Sequence, residues 1–266
     1  MTVDVVSIVI PNYNYERYVR DAITSALGQT HRNVEIVVVD DGSTDGSVAT
    51  IRTMPAFADG AFRLLVQANA GVARARNAGA AISAGSFLVF LDADDVLEPT
   101  YVERCLGALR SAPPSVAYAY TQMQRFGAET SLFASRPFDA AALIRSNFVP
   151  VSAMIRRRAF EDVGAFNPRL GHEDHELWVR MLAHGYQGVF VPEPLLRYRR
   201  HPGPSRNTLS PAQLVRMRFD MAIRHPTLYW RELVASPRHA LLAAARMLRA
   251  GRAGSGARGA ARREAS

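Results

Sequence analysis

The sequence predicts an α/β protein in which helices flank a Rossmann-like sheet. Short apolar runs alternate with segments that carry one apolar helical face over roughly the first 110 residues. Two of these runs end at acidic residues, and ligands of open α/β sheets bind beyond the carboxyl ends of the strands. The chain has 266 residues, of which 48% are hydrophobic, so it can bury the core of one large domain.

In the first part of the chain, four apolar runs predict buried parallel strands. These strands cover residues 5–10, 34–39, 62–66 and 87–91. Three helices are predicted between them. The first helix has one apolar face, made by Val19, Ala22, Ile23, Ala26 and Leu27. The second runs from capping residues at 43–45 to Ile51, and the third covers residues 71–84.

The pattern changes to shorter elements after Pro113 and Pro114. Strands are predicted near residues 116–122, 154–155, 187–190 and 195–198, and helices near residues 138–146, 157–163 and 211–224. A further helix is predicted after Gly171. On this helix Asp174 shares one face with four apolar residues, so its carboxylate should point along the buried side. The four residues are Leu177, Trp178, Met181 and Leu182.

The positive charge of the chain is concentrated at its C-terminal end. The formal net charge is +8, and the chain contains no lysine. Residues 231–266 hold eight arginines and two acids, whereas the preceding residues are nearly neutral. This distribution argues against a protein that binds nucleic acid. It predicts a partly disordered basic tail that is either solvated or in contact with an anionic membrane surface.

The sequence also limits the compartment. Its single cysteine, Cys105, cannot form an internal disulfide and is expected in a helix core. There is no signal-peptide pattern and no apolar run of about 18 residues that could span a bilayer. We therefore expect a cytoplasmic protein, either soluble or attached peripherally to the inner membrane face.

Three carboxylates follow the apolar run at 87–91, at Asp92, Asp94 and Asp95. Like charges at a strand end repel one another unless a cation lies between them. Mg²⁺ and Mn²⁺ prefer oxygen ligands and commonly bridge to substrate phosphates. The cluster therefore predicts a site for a divalent cation and a phosphate group. The alternative is a solvated acidic turn.

The glycine-rich loop of dinucleotide-binding Rossmann domains does not follow any of the predicted strands. The first strand is followed by Pro-Asn-Tyr-Asn at 11–14, and the second by Asp-Asp-Gly-Ser at 40–43. The sequence therefore argues against a dinucleotide-binding domain. The same observation argues against a nucleotidyltransferase, which would need a glycine-rich phosphate loop after the first strand.

Six short blocks, in order, resemble those of family 2 glycosyltransferases, which have the GT-A fold. The blocks are SIVIPNYN at 7–14, SALGQT at 25–30, VDDGSTD at 39–45, NAGVARARNAG at 69–79, LDADD at 91–95 and EDHELW at 173–178. The resemblance covers about residues 5–205. It implies a metal-assisted transfer of a sugar, with inversion, from a nucleotide diphosphate sugar to an acceptor hydroxyl. A UDP-sugar is the favoured donor.

The resemblance also implies a pocket for the nucleotide. Asp41 is expected to accept the N3 hydrogen of a uracil-type base, while Tyr13 stacks on the ring and Pro11 forms a rigid turn beside it. The alternative for Asp41 is a carboxylate that holds a turn or caps a helix. One of Arg74 and Arg76, near a helix N-terminus, is expected to contact the diphosphate or the acidic cluster.

The remaining site residues follow from the same resemblance. Asp92 is expected to contact the ribose or the sugar, with Ala93 in the same nucleotide-binding segment. Asp94 is expected to hold the Mg²⁺ or Mn²⁺ ion together with His201, for which an exposed loop histidine is the alternative. Asp174 is the expected general base, and the helix N-terminus should lower its pKa.

The resemblance suggests three parts of the chain. Residues 1–110 are expected to form the half that binds the nucleotide sugar, and residues 111–225 the acceptor-binding and catalytic half of the same domain. Residues 226–266 form a basic helix and tail. The Gln-x-x-Arg-Trp signature of processive polysaccharide synthases is absent, which favours the addition of a single sugar.

The biological acceptor stays open at this point. A glycan, a lipid-linked carrier or a small molecule would each supply the hydroxyl, and a role in cell-surface polysaccharide or glycolipid synthesis is expected. The alternative function is a sugar-nucleotide-binding module without transfer activity.

Overall fold

A computed structural model describes residues 4–133, 135–203 and 210–235 of the chain. The chain divides into two compact units, Met1–Gly203 and Pro204–Ser266. Most of the predicted basic tail, from residue 236 onwards, lies outside the described residues, and its disorder stays a prediction. The assignment of residues 1–110 and 111–225 to two functional halves also stays a prediction.

The first half of the first unit alternates strands and helices, close to the predicted elements. Its strands are β1 (Val6–Asn12), β2 (Val34–Asp40), β3 (Arg63–Val66) and β4 (Phe87–Phe90). Its helices are α1 (Val19–Leu27), α2 (Ser47–Arg52), α3 (Pro55–Ala58) and α4 (Val72–Ile82). The residue that precedes α2 is Gly46, and Oδ1 of Asp45 accepts a hydrogen bond from the backbone N–H of Ser47 over 3.0 Å.

The second half of this unit has shorter and more varied elements. They are β5 (Val96–Leu97), α5 (Tyr101–Arg110), β6 (Val116–Gly127), β7 (Ser131–Leu132), α6 (Ala140–Arg145), β8 (Met154–Arg156), α7 (Arg157–Asp162), α8 (Glu173–Ala183) and β9 (Gln187–Arg200). The second unit contains α9 (Pro211–Arg224) and α10 (Pro226–Ala235). Cys105 is buried on α5, as expected of a helix core residue.

The nine strands of the described residues form one mixed sheet in the order β3-β2-β1-β4-β8-β6-β9-β5, with β7 paired to β6. Strand β1 is parallel to β2 and β4, and β2 is parallel to β3. Strand β8 is antiparallel to both β4 and β6, whereas β6 and β9 are parallel. The carboxyl ends of β1, β2 and β4 therefore lie at the same edge of the sheet.

Side chains of the central strands alternate between two hydrophobic clusters, one on each face of the sheet. In β1, Ile8 and Ile10 belong to one cluster and Val9 to the other. Helices α1 and α5 contribute buried residues to the first cluster, and helices α4, α6, α7 and α8 contribute to the second. This arrangement confirms the predicted Rossmann-like sheet flanked by helices.

Helix α4 packs closely on β1 and β2 because residue 79 is glycine. A Cβ atom at Gly79 would overlap Cγ1 of Val9 and would lie 3.0 Å from Cγ2 of Val39. The missing side chain allows the helix backbone to approach the sheet. The same contact fixes the position of Arg76, which lies one turn earlier on the helix.

Strand β9 differs from the prediction. The sequence pattern predicts two strands, near 187–190 and 195–198, but the structure has one strand of 14 residues. Its pairing with β6 shifts register around Gln122, opposite Pro194. Because proline lacks the N–H that a ladder needs, Pro192 and Pro194 make this strand resemble two short ones in the sequence.

No helix in the described ranges combines the length and the apolar character that a bilayer crossing requires.

Candidate active site

Polar side chains collect at the sheet edge where β1, β2 and β4 end. Asn12 is the last residue of β1, Asp40 the last of β2, and Asp92 follows β4 after Leu91. Nδ2 of Asn12 donates a hydrogen bond to Oδ1 of Asp40 over 2.7 Å, which ties the first two strand ends together. Oδ2 of Asp40 accepts the backbone N–H of Ser43 over 2.9 Å, so Asp40 stabilises the turn that follows.

Asp41 is buried and holds the segment that leads into α4. Its Oδ1 accepts hydrogen bonds from Nε2 of Gln67 over 2.7 Å and from the backbone N–H of Ala70 over 2.9 Å. Its Oδ2 accepts the backbone N–H of Gly71 over 2.8 Å. Oδ2 keeps a second lone pair for a further donor such as a base N–H. The carboxylate therefore stabilises the turn and keeps one acceptor position for a further donor.

The loop after β1 presents an aromatic ring to solvent. Tyr13 is 45% exposed, so its ring is free to stack on a ligand. Pro11, in contrast, is buried inside β1 and pairs in parallel with Val39. The prediction that Pro11 forms a turn is therefore wrong. The chain turns after Asn12, and Asn14 adopts a left-handed φ of 58°.

Arg76 and Arg74 lie on the same helix but have different surroundings. The Arg76 side chain is buried and donates from Nη2 to Oδ1 of Asp92 over 2.6 Å and from Nη1 to Oε1 of Glu173 over 2.7 Å. Burial alone would lower the pKa of Arg76, but Asp92 and Glu173 outweigh it and raise that pKa. Arg74 is exposed and donates to the carbonyl oxygen of Ala70. Arg76 is thus the arginine that contacts the acidic cluster.

Asp94 and His201 are brought together from distant parts of the chain. Nε2 of His201 lies 2.7 Å from Oδ2 of Asp94. The histidine ring also packs edge-on against the ring of Tyr18, with 5.1 Å between centroids. Burial raises the pKa of Asp94, and the negative charge of Asp92 raises it further, although the hydrogen bond with His201 opposes this change. The ionised form of Asp94 is therefore unfavourable at this position unless a partner such as His201 or a cation lies beside it.

The last carboxylate of the cluster, Asp95, is buried and held by β9. Its Oδ1 accepts the backbone N–H of Arg199 over 2.9 Å, while Nε of Arg199 donates to the carbonyl oxygen of Asp94 over 2.8 Å. Burial, with the charges of Asp94 and Asp92, raises the pKa of Asp95 well above its usual range. The side chain of Ala93 is also buried, in the hydrophobic cluster. Any contact of Ala93 with a nucleotide would therefore come from its backbone.

The sequence pattern does not predict the part played by Arg199. Its Nη2 donates to Oδ2 of Asp21 on α1 over 2.9 Å, and its guanidinium lies 4.7 Å from the ring centre of Tyr18. Arg199 thus connects α1, the acidic cluster and the end of β9. The only local signal in the sequence is that Arg199 lies two residues before His201. The chain contains many arginines, and nothing else in the sequence distinguishes Arg199 from them.

The donor set of this cluster fits a divalent cation that binds together with a substrate. Asp94 offers carboxylate oxygen and His201 offers imidazole nitrogen. Among the described residues, no three His, Cys, Asp or Glu side chains are grouped so that they could hold a metal ion by themselves. Mg²⁺ and Mn²⁺ commonly bind through one or two protein ligands and take the others from phosphate and water. The cluster does not fit a metal cage built from protein ligands alone.

Asp174 lies in the first turn of α8, next to the glutamate that binds Arg76. Its Oδ2 accepts a hydrogen bond from Nδ2 of Asn147 over 2.8 Å, and its Oδ1 accepts the backbone N–H of His175 over 2.7 Å. The side chain is partly accessible to solvent. Burial raises the pKa of Asp174, and the His175 N–H and Arg76 only partly offset this effect. The prediction that the helix N-terminus lowers this pKa is therefore wrong, because desolvation is the larger effect.

The model of the family described as glycosyl transferase family 2 matches residues 7–164. The chain belongs to glycosyltransferase family 2. The matched range of this family 2 chain contains Asp41, Arg76 and the acidic cluster after β4, and it ends before Asp174 and His201.

Among curated relatives of this family 2 chain, the uncharacterized glycosyltransferase alr2836 of Nostoc sp. is 44% identical over 107 residues. The aligned part is 40% of this chain and 33% of that protein. Against three such relatives, the chain spans about a third of their length or less.

Two solved structures resemble this family 2 chain in fold. A fragment of TarS from S. aureus in complex with UDP-GlcNAc has a TM-score of 0.64 at 18% identity, covering 82% of this chain and 66% of that chain. The mannosyltransferase PcManGT from Pyrobaculum calidifontis, in complex with GDP-Man and Mn²⁺, has a TM-score of 0.58 at 20% identity, covering 92% and 80%. These likenesses confirm the predicted GT-A fold.

Proposed function

We propose that this chain transfers a single sugar from a nucleotide diphosphate sugar to an acceptor hydroxyl, with inversion at the anomeric carbon. The observation that carries the proposal is the position of Arg76, which binds both Asp92 and Glu173. This arginine brings the acidic cluster after β4 next to the first turn of α8. The proposed donor contact, Asp92, and the proposed general base, Asp174, thus belong to two segments that one buried cation joins.

The donor is proposed to bind along the edge formed by β1, β2 and β4. The exposed ring of Tyr13 and the free lone pair of Asp41 suit a base of the uracil type. Asp92, whose Oδ1 is held by Arg76, is proposed to contact the ribose or the sugar. The bound UDP-GlcNAc named for TarS supports a UDP-sugar, whereas the GDP-Man named for PcManGT leaves other bases to be tested.

Asp94 and His201 are the proposed ligands of a divalent cation, which the Mn²⁺ named for PcManGT supports. Such an ion, when bound, would neutralise negative charge that collects on the departing diphosphate. The residues of this chain supply what surrounds it. Arg199 holds the carbonyl of Asp94 and the carboxylate of Asp95, and thereby keeps the loop that carries Asp94 in place.

Asp174 is the proposed general base. The acceptor oxygen forms a bond to the anomeric carbon as the bond between that carbon and the diphosphate oxygen breaks. The electron pair of the broken bond leaves with the diphosphate, and the hydroxyl proton moves to Asp174. Because the acceptor attacks from the face opposite the diphosphate, the configuration inverts. The raised pKa of Asp174 makes it a stronger base than an ordinary aspartate.

A glycan, a lipid-linked carrier or a small molecule is the proposed acceptor, and cell-surface polysaccharide or glycolipid synthesis the proposed role. We also propose a cytoplasmic location with peripheral contact to an anionic membrane through the second unit. Three apolar side chains of this unit, Phe219, Ile223 and Trp230, are between 63% and 68% exposed. Arginines at 216 and 224 are exposed beside them, and more arginines follow in sequence, which suits anionic headgroups.

A donor screen by thermal shift tests the proposal. UDP-, GDP- and dTDP-sugars are compared with and without Mn²⁺, because a bound donor raises the melting temperature. The release of nucleotide diphosphate is then measured with candidate acceptors, for the wild type and for Asp94→Ala. A shift followed by release that Asp94→Ala abolishes supports the enzyme. A shift without release for any acceptor supports the binding module, and no shift with any donor contradicts both.

A further inference from the structure

Asn147 lies between α6 and β8, in a segment that carries none of the predicted catalytic residues. Its Nδ2 donates a hydrogen bond to Oδ2 of Asp174 over 2.8 Å, across 27 residues of sequence. The other oxygen of Asp174 accepts the backbone N–H of His175. Both carboxylate oxygens are thus held by N–H donors, which fixes the plane of the carboxylate.

The orientation of the Asn147 amide is determined by its second hydrogen bond. Its Oδ1 accepts the backbone N–H of Val149 over 3.1 Å. If the amide were turned over, the Val149 N–H would lose its acceptor and an oxygen would face the Asp174 carboxylate. The N–H donor of Asn147 must therefore be the group that faces Asp174.

The segment around Asn147 is fastened to α8 at two further points. Nε1 of Trp178 donates to the carbonyl oxygen of Val149 over 3.2 Å. Nε2 of His175 lies 2.6 Å from the carbonyl oxygen of Leu143, and both ring systems are buried. These contacts attach the segment around Asn147 to the first two turns of α8.

We propose that Asn147 is a positioning residue that holds the carboxylate of Asp174 in the orientation needed to accept the acceptor proton. This inference rests on the proposed role of Asp174 as the general base. Asn147 touches neither the donor nor the reacting atoms in this scheme. It acts by holding Oδ2 of Asp174 while the His175 N–H holds Oδ1, so that each oxygen keeps a lone pair that can accept the proton.

The same hydrogen bond favours the ionised form of Asp174, and other charges around it act in both directions. Arg76 and His172 favour ionisation, whereas burial and Asp92 oppose it. Glu173 precedes Asp174 in the first turn of α8, and its carboxylate is paired with Arg76. Removing the Asn147 donor should therefore raise the pH at which Asp174 becomes protonated, because those other groups remain.

The test compares sugar transfer by the wild type, Asn147→Ala and Asn147→Asp over a range of pH. Asn147→Ala removes the donor, and the nearly isosteric Asn147→Asp replaces it with a carboxylate that repels Asp174. We expect kcat to fall about 10- to 100-fold in Asn147→Ala, and further in Asn147→Asp. The acid limb of the kcat profile should move to higher pH in both, while the thermal shift produced by UDP-sugar and Mn²⁺ stays at its wild-type value.

Gln29→Ala is the matched control, because Gln29 is a buried amide that also joins distant backbone groups. Its Nε2 donates to the carbonyl oxygen of Glu98 and its Oε1 accepts the N–H of Val102, away from Asp174. This variant should lose stability but keep the wild-type acid limb. If Asn147→Asp keeps both the wild-type kcat and the wild-type acid limb, the inference is overturned while the proposed function stands. If the wild type transfers no sugar under any condition, the proposed function and the inference are both overturned.

Discussion

Nη2 of Arg76 donates a hydrogen bond to Oδ1 of Asp92 over 2.6 Å, and the arginine side chain is only 5% exposed. The first residue belongs to α4 and the second to the loop after β4. Nη1 of the same guanidinium binds Glu173 at the start of α8. One buried cation therefore pairs with two acids, one in the loop after β4 and one at the start of α8, and its removal should affect both.

Arg76→Ala should destabilise the fold by about 3 kcal/mol, because two carboxylates lose their shared partner in a mostly buried site. Sugar transfer should fall as well, since Asp92 is no longer held. Arg74→Ala, on the exposed side of the same helix, should have the smaller effect on both. Thermal unfolding and transfer rates of the two variants give the comparison. A larger loss in Arg74→Ala would contradict our assignment of the arginine that faces the site.

Asp174→Asn should reduce kcat by about 10²- to 10⁴-fold, because an amide cannot accept the hydroxyl proton. Donor binding should persist, since the predicted donor contacts lie at the strand ends. Steady-state kinetics and the thermal shift with UDP-sugar and Mn²⁺ separate the two effects. If Asp174→Asn lost both turnover and the rise in melting temperature that the donor produces, Asp174 would serve donor binding instead of proton transfer.

The pH profile of kcat should have an acid limb above the ordinary pKa of aspartate, about 3.9. A general base works in its ionised form, and burial raises the pKa of Asp174, so activity is lost as the pH falls through this raised value. Initial rates at saturating donor, with and without Mn²⁺ in excess, locate the limb. Full activity down to the ordinary aspartate range would exclude Asp174 as the base.

Removal of the metal ligands should abolish the effect of Mn²⁺ on donor binding. Asp94→Asn and His201→Ala each remove one ligand of the proposed cation. Because burial raises the pKa of Asp94, a neutral side chain there should leave the metal-free melting temperature unchanged or higher. His184→Ala, at an exposed histidine after α8, is the control and should retain the Mn²⁺ response. A metal-dependent donor shift that survives in Asp94→Asn would refute the site.

The exposed aromatic residues of the second unit should bind anionic vesicles. Replacing Phe219 and Trp230 together by alanine should weaken binding to phosphatidylglycerol vesicles about tenfold or more. Each substitution removes an aromatic ring that would insert into the apolar part of the membrane. Leu132→Ala, at a side chain 64% exposed in the first unit, should have no such effect. Co-sedimentation at low and high salt measures both contributions. The proposal would be contradicted if the wild type bound these vesicles with an affinity that neither salt nor the double substitution changed.

The strands that build the site could be predicted because they are buried on both faces. Strands β1, β2 and β4 appear in the sequence as short, nearly continuous apolar runs, and the acids that follow them are visible as a change of residue type. Strand β5, with two residues, is too short to give any pattern. In β9, Pro192 and Pro194 interrupt the hydrogen-bond ladder, so the local sequence pattern predicts that the strand ends there. The structure has one continuous strand instead.

The residues that hold the acidic groups could not be predicted in this way. Arg199 reaches Asp95 across 104 positions, and Asn147 reaches Asp174 across 27. Neither belongs to a local motif that distinguishes it from other arginines or asparagines. The burial of Asp174 is also a tertiary property, and for this reason the helix N-terminus alone predicted the wrong direction for its pKa.

The ion pairs of Arg76 restrict how this chain can be recombined with its relatives. A chimera joined between α4 and α8 takes the arginine from one parent and Glu173 from the other, while Gly79 still sets how deep the arginine lies. A parent that lacks either partner would place an unmatched charge inside the hybrid. Exchanges aimed at new donor or acceptor preferences should therefore transfer positions 76, 92 and 173 as one set.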